Sequence, residues 1–292
     1  MRALVVINPV SGPARARQAN AGALARHVLE RHGFEVEVVV TTGRGHARRV
    51  SEQARASGAG LVVAWGGDGT INEVASALAS SDLLLGIVPG GSGNGLARDL
   101  GLPLDPVRAL EVVAAGRARR IDAGRLDDAL FFNVAGIGLD AEIARRLASP
   151  HARRGLPGYV QATFAELPGY RARTYAIEAD GTRTERRALF IAVANSRQYG
   201  NGAQIAPAAR LDDGKLDLVV VEEQPAWRVL AQVPAFFRGT LASRPGLHMA
   251  QVAEGLIRAE GRIGFHVDGE PGAGEGTLRI GILPSALRVV VP

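Results

Sequence analysis

Along residues 2–122, short apolar runs alternate with longer stretches whose apolar positions recur every three to four residues. Residues 3–7 read as a short buried strand ending in N-P-V-S-G. Pro13 opens a helix that runs to about His32 and stops at Gly33, since proline suits a first helical turn and glycine a helix end. In residues 34–40, Phe34, Val36, Val38 and Val40 share one face, which predicts a half-buried strand. A helix over residues 45–57 ends at Gly58 and Gly60. Two strand–glycine loop–helix units follow. Residues 61–65 run into Gly66, Gly67 and Gly69, with a helix from Thr70, and residues 83–88 run into P-G-G-S-G-N-G-L-A-R. One more helix covers residues 106–115. This alternation predicts parallel βαβ units.

Beyond residue 121 strand patterns dominate: residues 129–134, 174–179, 188–194, 215–221, 249–259, 262–267, 277–282 and 287–291. Helical patterns interrupt them at residues 140–148, 158–167 and 226–239. In the last, Leu230, Val233, Phe236 and Phe237 form an apolar stripe that suits either core or lipid. The pattern predicts an α/β domain over residues 1–122 and a mainly-β, antiparallel domain over residues 123–292. The final strand is a candidate to return to the first domain.

Composition narrows the class. The 292 residues are 47% hydrophobic, enough for a sizeable core, and contain no cysteine. That excludes a disulfide framework and thiolate metal sites and fits a reducing, cytoplasmic setting. No secretory leader pattern opens the chain, and no apolar run approaches the ~20 residues of a membrane span. The net charge of +5 invites an anionic partner. Aromatic residues are 5% and do not interleave with the arginines, which argues against nucleic acid. Arg145, Arg146, Arg153 and Arg154, and Arg183, Arg186 and Arg187, suit either an anionic membrane surface or solvated faces.

The candidate chemistry sits on the glycine loops. In G-G-D-G-T-I-N-E-V, residues without Cβ surround Asp68, so the backbone can adopt positive φ and turn N–H groups toward phosphate. The following helix N-terminus favours the same anion. Two such loops after successive strands mark a ligand site of an open α/β sheet, whereas an ordinary turn is the lesser alternative for one loop alone. The only lysine is Lys215, so no Walker loop exists. Phosphate must therefore be held by amides, hydroxyls and arginine. Phosphoryl transfer needs positioning and charge neutralisation, and Asp68 or Asp122 could serve Mg²⁺. Asp268 and Glu270, two apart after the alternating run Ile263, Phe265, Val267, would share one face and supply a general base. V-D-G-E is also a hairpin-turn sequence. His266 either orients Glu270 or is structural, and Asn195, Arg197 and Tyr199 are candidates to shape a cleft floor.

Seven blocks, in order, carry a resemblance: N-P-V-S-G (residues 8–12), G-G-D-G-T-I-N-E-V (66–74), P-G-G-S-G-N-G-L-A-R-D-L-G-L-P (89–103), F-N-V-A-G-I-G-L-D-A (132–141), A-N-S-R-Q-Y-G-N-G (194–202), I-A-P-A-A-R-L-D-D-G-K-L-D-L (205–218) and V-D-G-E-P (267–271). Together they resemble the diacylglycerol kinase catalytic family of bacterial lipid kinases and sphingosine and ceramide kinases. The resemblance implies a three-layer α/β nucleotide-binding domain followed by a β-sandwich-like domain of NAD kinase/diacylglycerol kinase type, the two enclosing a cleft. It implies transfer of phosphate from ATP, with Mg²⁺, to a lipid hydroxyl at a membrane surface. Asn8, Pro9, Ser11 and Gly12 would line the phosphates, as would Gly66, Gly67, Asp68, Gly69, Thr70, Ile71 and Asn72, with Thr41 and Ser92 also touching nucleotide. Glu270 would be the proton acceptor and Asp68 the central acid. Asp122, Asp268 and Arg98 would lie near the cleft. Asp213, with the carbonyls of Arg210 and Lys215, would bind a structural Mg²⁺, an oxygen-only set suited to a hard cation.

This chain reads N-G-L-A-R at residues 94–98 where many bacterial relatives read N-D-F-A-R, which leaves the acceptor lipid open. Pro13 stands where some relatives carry lysine, with Arg15 or Arg17 as candidate substitutes. An NAD kinase shares G-G-D-G-T and is the enzymatic alternative, and a non-catalytic nucleotide or lipid sensor is the other. Retention of Asp68, Asp268 and Glu270 favours an enzyme. Whether the chain forms a homodimer is open.

Overall fold

The computed structural model describes residues 1–11, 20–149, 152–153, 155–241 and 244–292. The chain divides into two compact units: Met1–Ile121 with Ser285–Pro292, and Asp122–Pro284.

In the first unit, β1 (Arg2–Ile7), β2 (Glu35–Val40), β3 (Leu61–Gly66) and β4 (Leu84–Pro89) form a parallel sheet ordered β2-β1-β3-β4. The chain's last strand joins it beside β4, Arg288 and Val289 pairing with Leu84 and Leu85. Strands covered on both faces have no polar alternation. Every residue of β3 is accordingly buried, whereas β2 at the edge keeps Glu35, Glu37 and Val40 exposed. Among the described residues the unit has five helices: α1 (Ala21–Arg31), α2 (His46–Ala56), α3 (Asp68–Leu78), α4 (Gly95–Asp99) and α5 (Pro106–Ala115). The predicted opening of the first helix at Pro13 lies outside the described residues. α1 and α5 bury Leu29 and Leu110 against Val5, Val63 and Trp65. The alternate residues Leu4, Val6, Val62 and Ala64 are buried too, and α2 and α3 pack against each other and against β1 and β3. The result is three layers. Pro106 starts α5, and the Asp105 carboxylate accepts the Arg108 N–H at 3.0 Å, the usual way to satisfy a free helical donor.

In the second unit the order β13-β12-β9-β7-β14-β15 is antiparallel throughout. These strands are β7 (Val134–Gly138), β9 (Thr182–Ala194), β12 (Leu216–Glu222), β13 (Leu247–Val252), β14 (Glu254–Val267) and β15 (Glu270–Val291). β8 (Arg173–Ala179) pairs with both β9 and β14. The strand period of two separates two cores. Ile191 and Val193 pack with Ile137, Leu218 and Phe265, while Ala192 and Ala194 face Val219, Val221 and Ala235 of α8 (Ala226–Arg238). Phe236 packs against this second core and Phe237 is 40% exposed, so the predicted stripe is divided between interior and surface. α6 (Leu139–Leu147) and α7 (Gly155–Glu166) form a smaller cluster with Leu189.

Several strand limits differ from the sequence pattern. β5 (Arg117–Leu126) was not predicted, because its first residues are mostly exposed arginines with no apolar face to read. The expected strand 129–134 is two, β6 (Ala129–Phe131) and β7, parted where main-chain amides turn to a carboxylate described below. β14 continues through the expected break at residues 260–261, where Gly261 at φ +67° and a register shift between Arg258 and Arg262 mark a bulge. β15 is one strand where two were expected, with Ser285 at φ +53°. Among the described residues no helix is long and apolar enough to cross a membrane.

Candidate functional site

Four strand ends of the first unit carry its candidate residues. After β1, the Asn8 side chain donates to Thr70 Oγ1 at 2.8 Å, and Ser11 Oγ accepts the Gly67 N–H at 3.3 Å. After β3, Gly66 offers its carbonyl to the Gly90 N–H at 2.7 Å. The Asp68 carboxylate then reaches the loop after β4, accepting the N–H of Asn94 at 2.9 Å and of Gly95 at 2.8 Å. Asn94, at φ +50°, closes that loop by accepting the Gly91 N–H and donating to the Gly91 carbonyl, each at 2.9 Å. Residues 8–11 and the G-G-D-G and G-G-S-G-N-G segments are thus one hydrogen-bonded assembly.

The reason for the glycines is not the expected one. Gly66, Gly67 and Gly69 do not stand at positive φ; Gly67 is extended, at φ −87° and ψ −176°. At Gly66 and Gly67 close contact demands glycine instead. A Cβ on Gly66 would lie 2.6 Å from the Thr70 side chain, and one on Gly91 would lie 2.6 Å from Gly67 Cα. The two glycine loops touch backbone to backbone. α3 begins at Asp68 rather than Thr70, so Asp68 opens one helix while its side chain binds the amides that open another. Ile71 is a core residue, 2% exposed, whose N–H is taken by the Gly67 carbonyl at 3.0 Å. Thr41 is buried beside the end of β1, its N–H on the Ile7 carbonyl at 2.8 Å. Pro9 and Asn72 are half-buried, Ser92 is exposed, and Arg98 donates to the Gly93 carbonyl at 3.1 Å. Gly12 lies outside the described residues, as do Arg15 and Arg17. Two polar residues escaped the sequence reading: Asn94, and Glu73, whose carboxylate accepts the Gly45 and Arg48 amides at the start of α2. Glu73 has no local signal, because it acts on a distant segment, whereas Asn94 acts on Gly91 within its own loop.

The second unit holds the remaining acids. Asp268 and Gly269, at φ +48° and +87°, form a two-residue hairpin turn between paired Val267 and Glu270. The expectation that Asp268 and Glu270 share a strand face is therefore overturned, since the turn separates them. The Asp268 carboxylate accepts the N–H groups of Phe132, Asn133 and Val134 at 2.9, 2.9 and 3.1 Å, which is what parts β6 from β7. Glu270, half-buried, opens β15.

Beside the turn, His266 Nδ1 accepts the Gly269 N–H at 3.2 Å and Nε2 meets Asp140 at 2.7 Å. Asp140 also accepts the hydroxyls of Tyr159, at 3.0 Å, and Tyr199. Burial alone would raise the Asp140 carboxyl, but the His266 imidazole and the two phenols outweigh it and hold it below the usual carboxylate range. Burial and the Asp140 charge push both tyrosine hydroxyls well above their usual value, so they remain donors.

Asp122 is buried and accepts the Gly214 N–H at 2.8 Å, bracing the D-D-G-K loop. Asp213 accepts the Lys215 N–H at 3.1 Å. Burial, then the nearby Asp213 charge, raise the Asp217 carboxyl to about 6. Two neighbouring carboxylates are the kind of oxygen ligand a hard divalent cation takes. Among the described residues no three imidazole or acidic side chains cluster for a metal, so carbonyls and water would complete any such site.

Four arginines of the two clusters are ion-paired, and Arg154 lies outside the described residues. Arg145 pairs with Glu142, Arg146 with Glu166, Arg186 with Glu222 and Arg187 with Glu223.

Residues 2–126 match the diacylglycerol kinase catalytic domain, and residues 133–291 match the YegS C-terminal NAD kinase β-sandwich-like domain. A protein named diacylglycerol kinase from Mycobacterium tuberculosis is 33% identical over 98% of this chain and 93% of its own length. One from Pseudomonas aeruginosa, named "Probable lipid kinase YegS-like", is 34% identical over 89% of this chain and 86% of its own. A Bacillus anthracis structure described as a diacylglycerol kinase shares the fold at TM-score 0.76 and 20% identity, covering 100% of this chain and 97% of that one. The chain belongs to the diacylglycerol kinase catalytic family and is a phosphotransferase that acts on a lipid alcohol.

Proposed function

We propose that this lipid kinase transfers the γ-phosphoryl group of ATP to the hydroxyl of a diacylglycerol-like, phosphatidylglycerol-like or sphingoid lipid. Amides of the segment after β1 and of residues 66–72, with the Ser92 hydroxyl, take the phosphates, and Thr41 borders the nucleotide. Asp68 holds the two glycine loops in register and adds charge near the phosphate-bound metal. Mg²⁺ bound with ATP would neutralise charge on the transferring group. Asp213, with the carbonyls of Arg210 and Lys215, would hold a second, structural Mg²⁺. Glu270 accepts the proton of the lipid hydroxyl, while Asp122 and Asp268 brace their loops. The observation that carries this reading is the Asp68-locked pair of glycine loops, whose close approach leaves bare main chain for an anion.

The enzyme works as a peripheral protein at the cytoplasmic membrane surface. Phe164, Trp227 and Phe237, apolar yet exposed, support that placement better than the ion-paired arginines. The test supplies γ-labelled ATP and Mg²⁺ with either total lipid extract or NAD. Label in a lipid bears the reading out. Label in NAD alone, or nucleotide binding without labelled lipid, overturns it.

A further inference from the structure

The direction in which Glu270 leaves the main chain is set by the turn before it, and that turn is held from two sides. Asp268 anchors one side through the Phe132, Asn133 and Val134 amides, and its own N–H donates to the Val134 carbonyl at 2.9 Å. The other side rests on His266. The Gly269 amide can only donate, so His266 Nδ1 receives it on a lone pair and the ring proton sits on Nε2, facing Asp140. Asp140 is 2% exposed and His266 5%, and Asp140 takes both tyrosine hydroxyls as well. The strand pairing leaves room for the pair: His266 lies opposite Gly136, where a Cβ would overlap Asp140 Oδ2 and His266 Nε2. A buried, charged carboxylate with three donors is costly for mere packing, since apolar residues of similar volume would fill the space without desolvating a charge.

We infer that His266 is a positioning residue for Glu270: Asp140, held by Tyr159 and Tyr199, fixes its Nε2–H form so that Nδ1 can grip the Gly269 amide. This rests on Glu270 being the proton acceptor. The arrangement fixes the direction of the turn through the Gly269 amide. Removing it leaves the base in place but poorly aimed.

Two substitutions separate the ends of the ring. In His266→Asn the side-chain oxygen stands at the Nδ1 position and still accepts the Gly269 N–H, whereas His266→Gln keeps a donor toward Asp140 and gives up that acceptor. Loss of aim lowers kcat by about tenfold or more in His266→Gln, with KM for ATP unchanged, and His266→Asn recovers most of it. A wild-type kcat in His266→Gln, or an equal fall in both variants, overturns the inference. Should both variants fail to fold, ¹⁵N spectra of the unaltered enzyme decide: a neutral ring with its proton on His266 Nε2 supports the inference, and any proton on Nδ1 overturns it. Glu270→Gln is assayed alongside. Full turnover in that variant defeats the proton-acceptor assignment itself, whereas an inactive Glu270→Gln beside a fully active His266→Gln defeats only the role of His266.

Discussion

The G-G-D-G loop of the first unit and the V-D-G-E turn of the second both set an aspartate among glycines and bind its carboxylate to main-chain amides. Their glycines answer different demands. Gly91 and Gly67 meet at closest approach with ordinary φ, and a Cβ has no room. Gly269 has open space around its missing Cβ but stands at φ +87°. Crowding governs one loop and backbone conformation the other. The same sequence sign therefore gives a surface bare enough for phosphate in one unit, and a sharp reversal that presents a glutamate in the other.

The largest stability effect should come from Asp268→Ala, which strips three amides of their acceptor. At about 1–3 kcal/mol for each buried group left unpaired, a loss of about 3 kcal/mol or more is expected in urea unfolding. Asp68→Ala strips two amides and should cost less, about 2 kcal/mol, while raising KM for ATP as the second loop loosens. If the Asp68 variant were the less stable of the two, the amide count would not govern.

The glycines give a sharper contrast, because the order of two substitutions should reverse between the loops. At Gly269, alanine should cost about 1–2 kcal/mol for a left-handed backbone and asparagine less, since asparagine tolerates that region. At Gly91 asparagine should be the worse, because added volume is the problem there. Thermal melting of the four variants checks this, and the same order at both sites would contradict it.

The smallest effect concerns pH. The Asp217 carboxyl, raised to about 6, keeps its proton in the folded chain at pH values where the unfolded chain has lost it. Folding is therefore penalised as pH rises from about 4, and the penalty is full above about 6. Asp217→Asn should raise the Tm near neutral pH, with the gap closing toward about pH 4. A gap that persisted or widened in acid would reverse the assigned sign.

Much of the first unit was legible because its signals are local. Pro106 and Gly116 bracket α5, and fully apolar residues 61–65 could only be a covered strand. The second unit was harder. β5 presents arginines to solvent, and the kinks at Gly261 and Ser285 look like strand ends although the ladder continues past them. The site divides in the same way. Asp68 and Glu270 stand in motifs that announce them, whereas the Asp140–His266 pair joins residues 126 positions apart and has no pattern along the chain. The positive-φ expectation for the first glycines failed because sequence cannot distinguish freedom of φ from closeness of neighbours.

The most direct measurement compares γ-phosphoryl transfer to lipid by the unaltered enzyme and by Glu270→Gln, with ATP affinity measured in parallel. Loss of a general base should lower kcat by about 10²–10⁴-fold while ATP binding is kept. Undiminished lipid phosphorylation by Glu270→Gln would contradict the assignment of Glu270 as the proton acceptor.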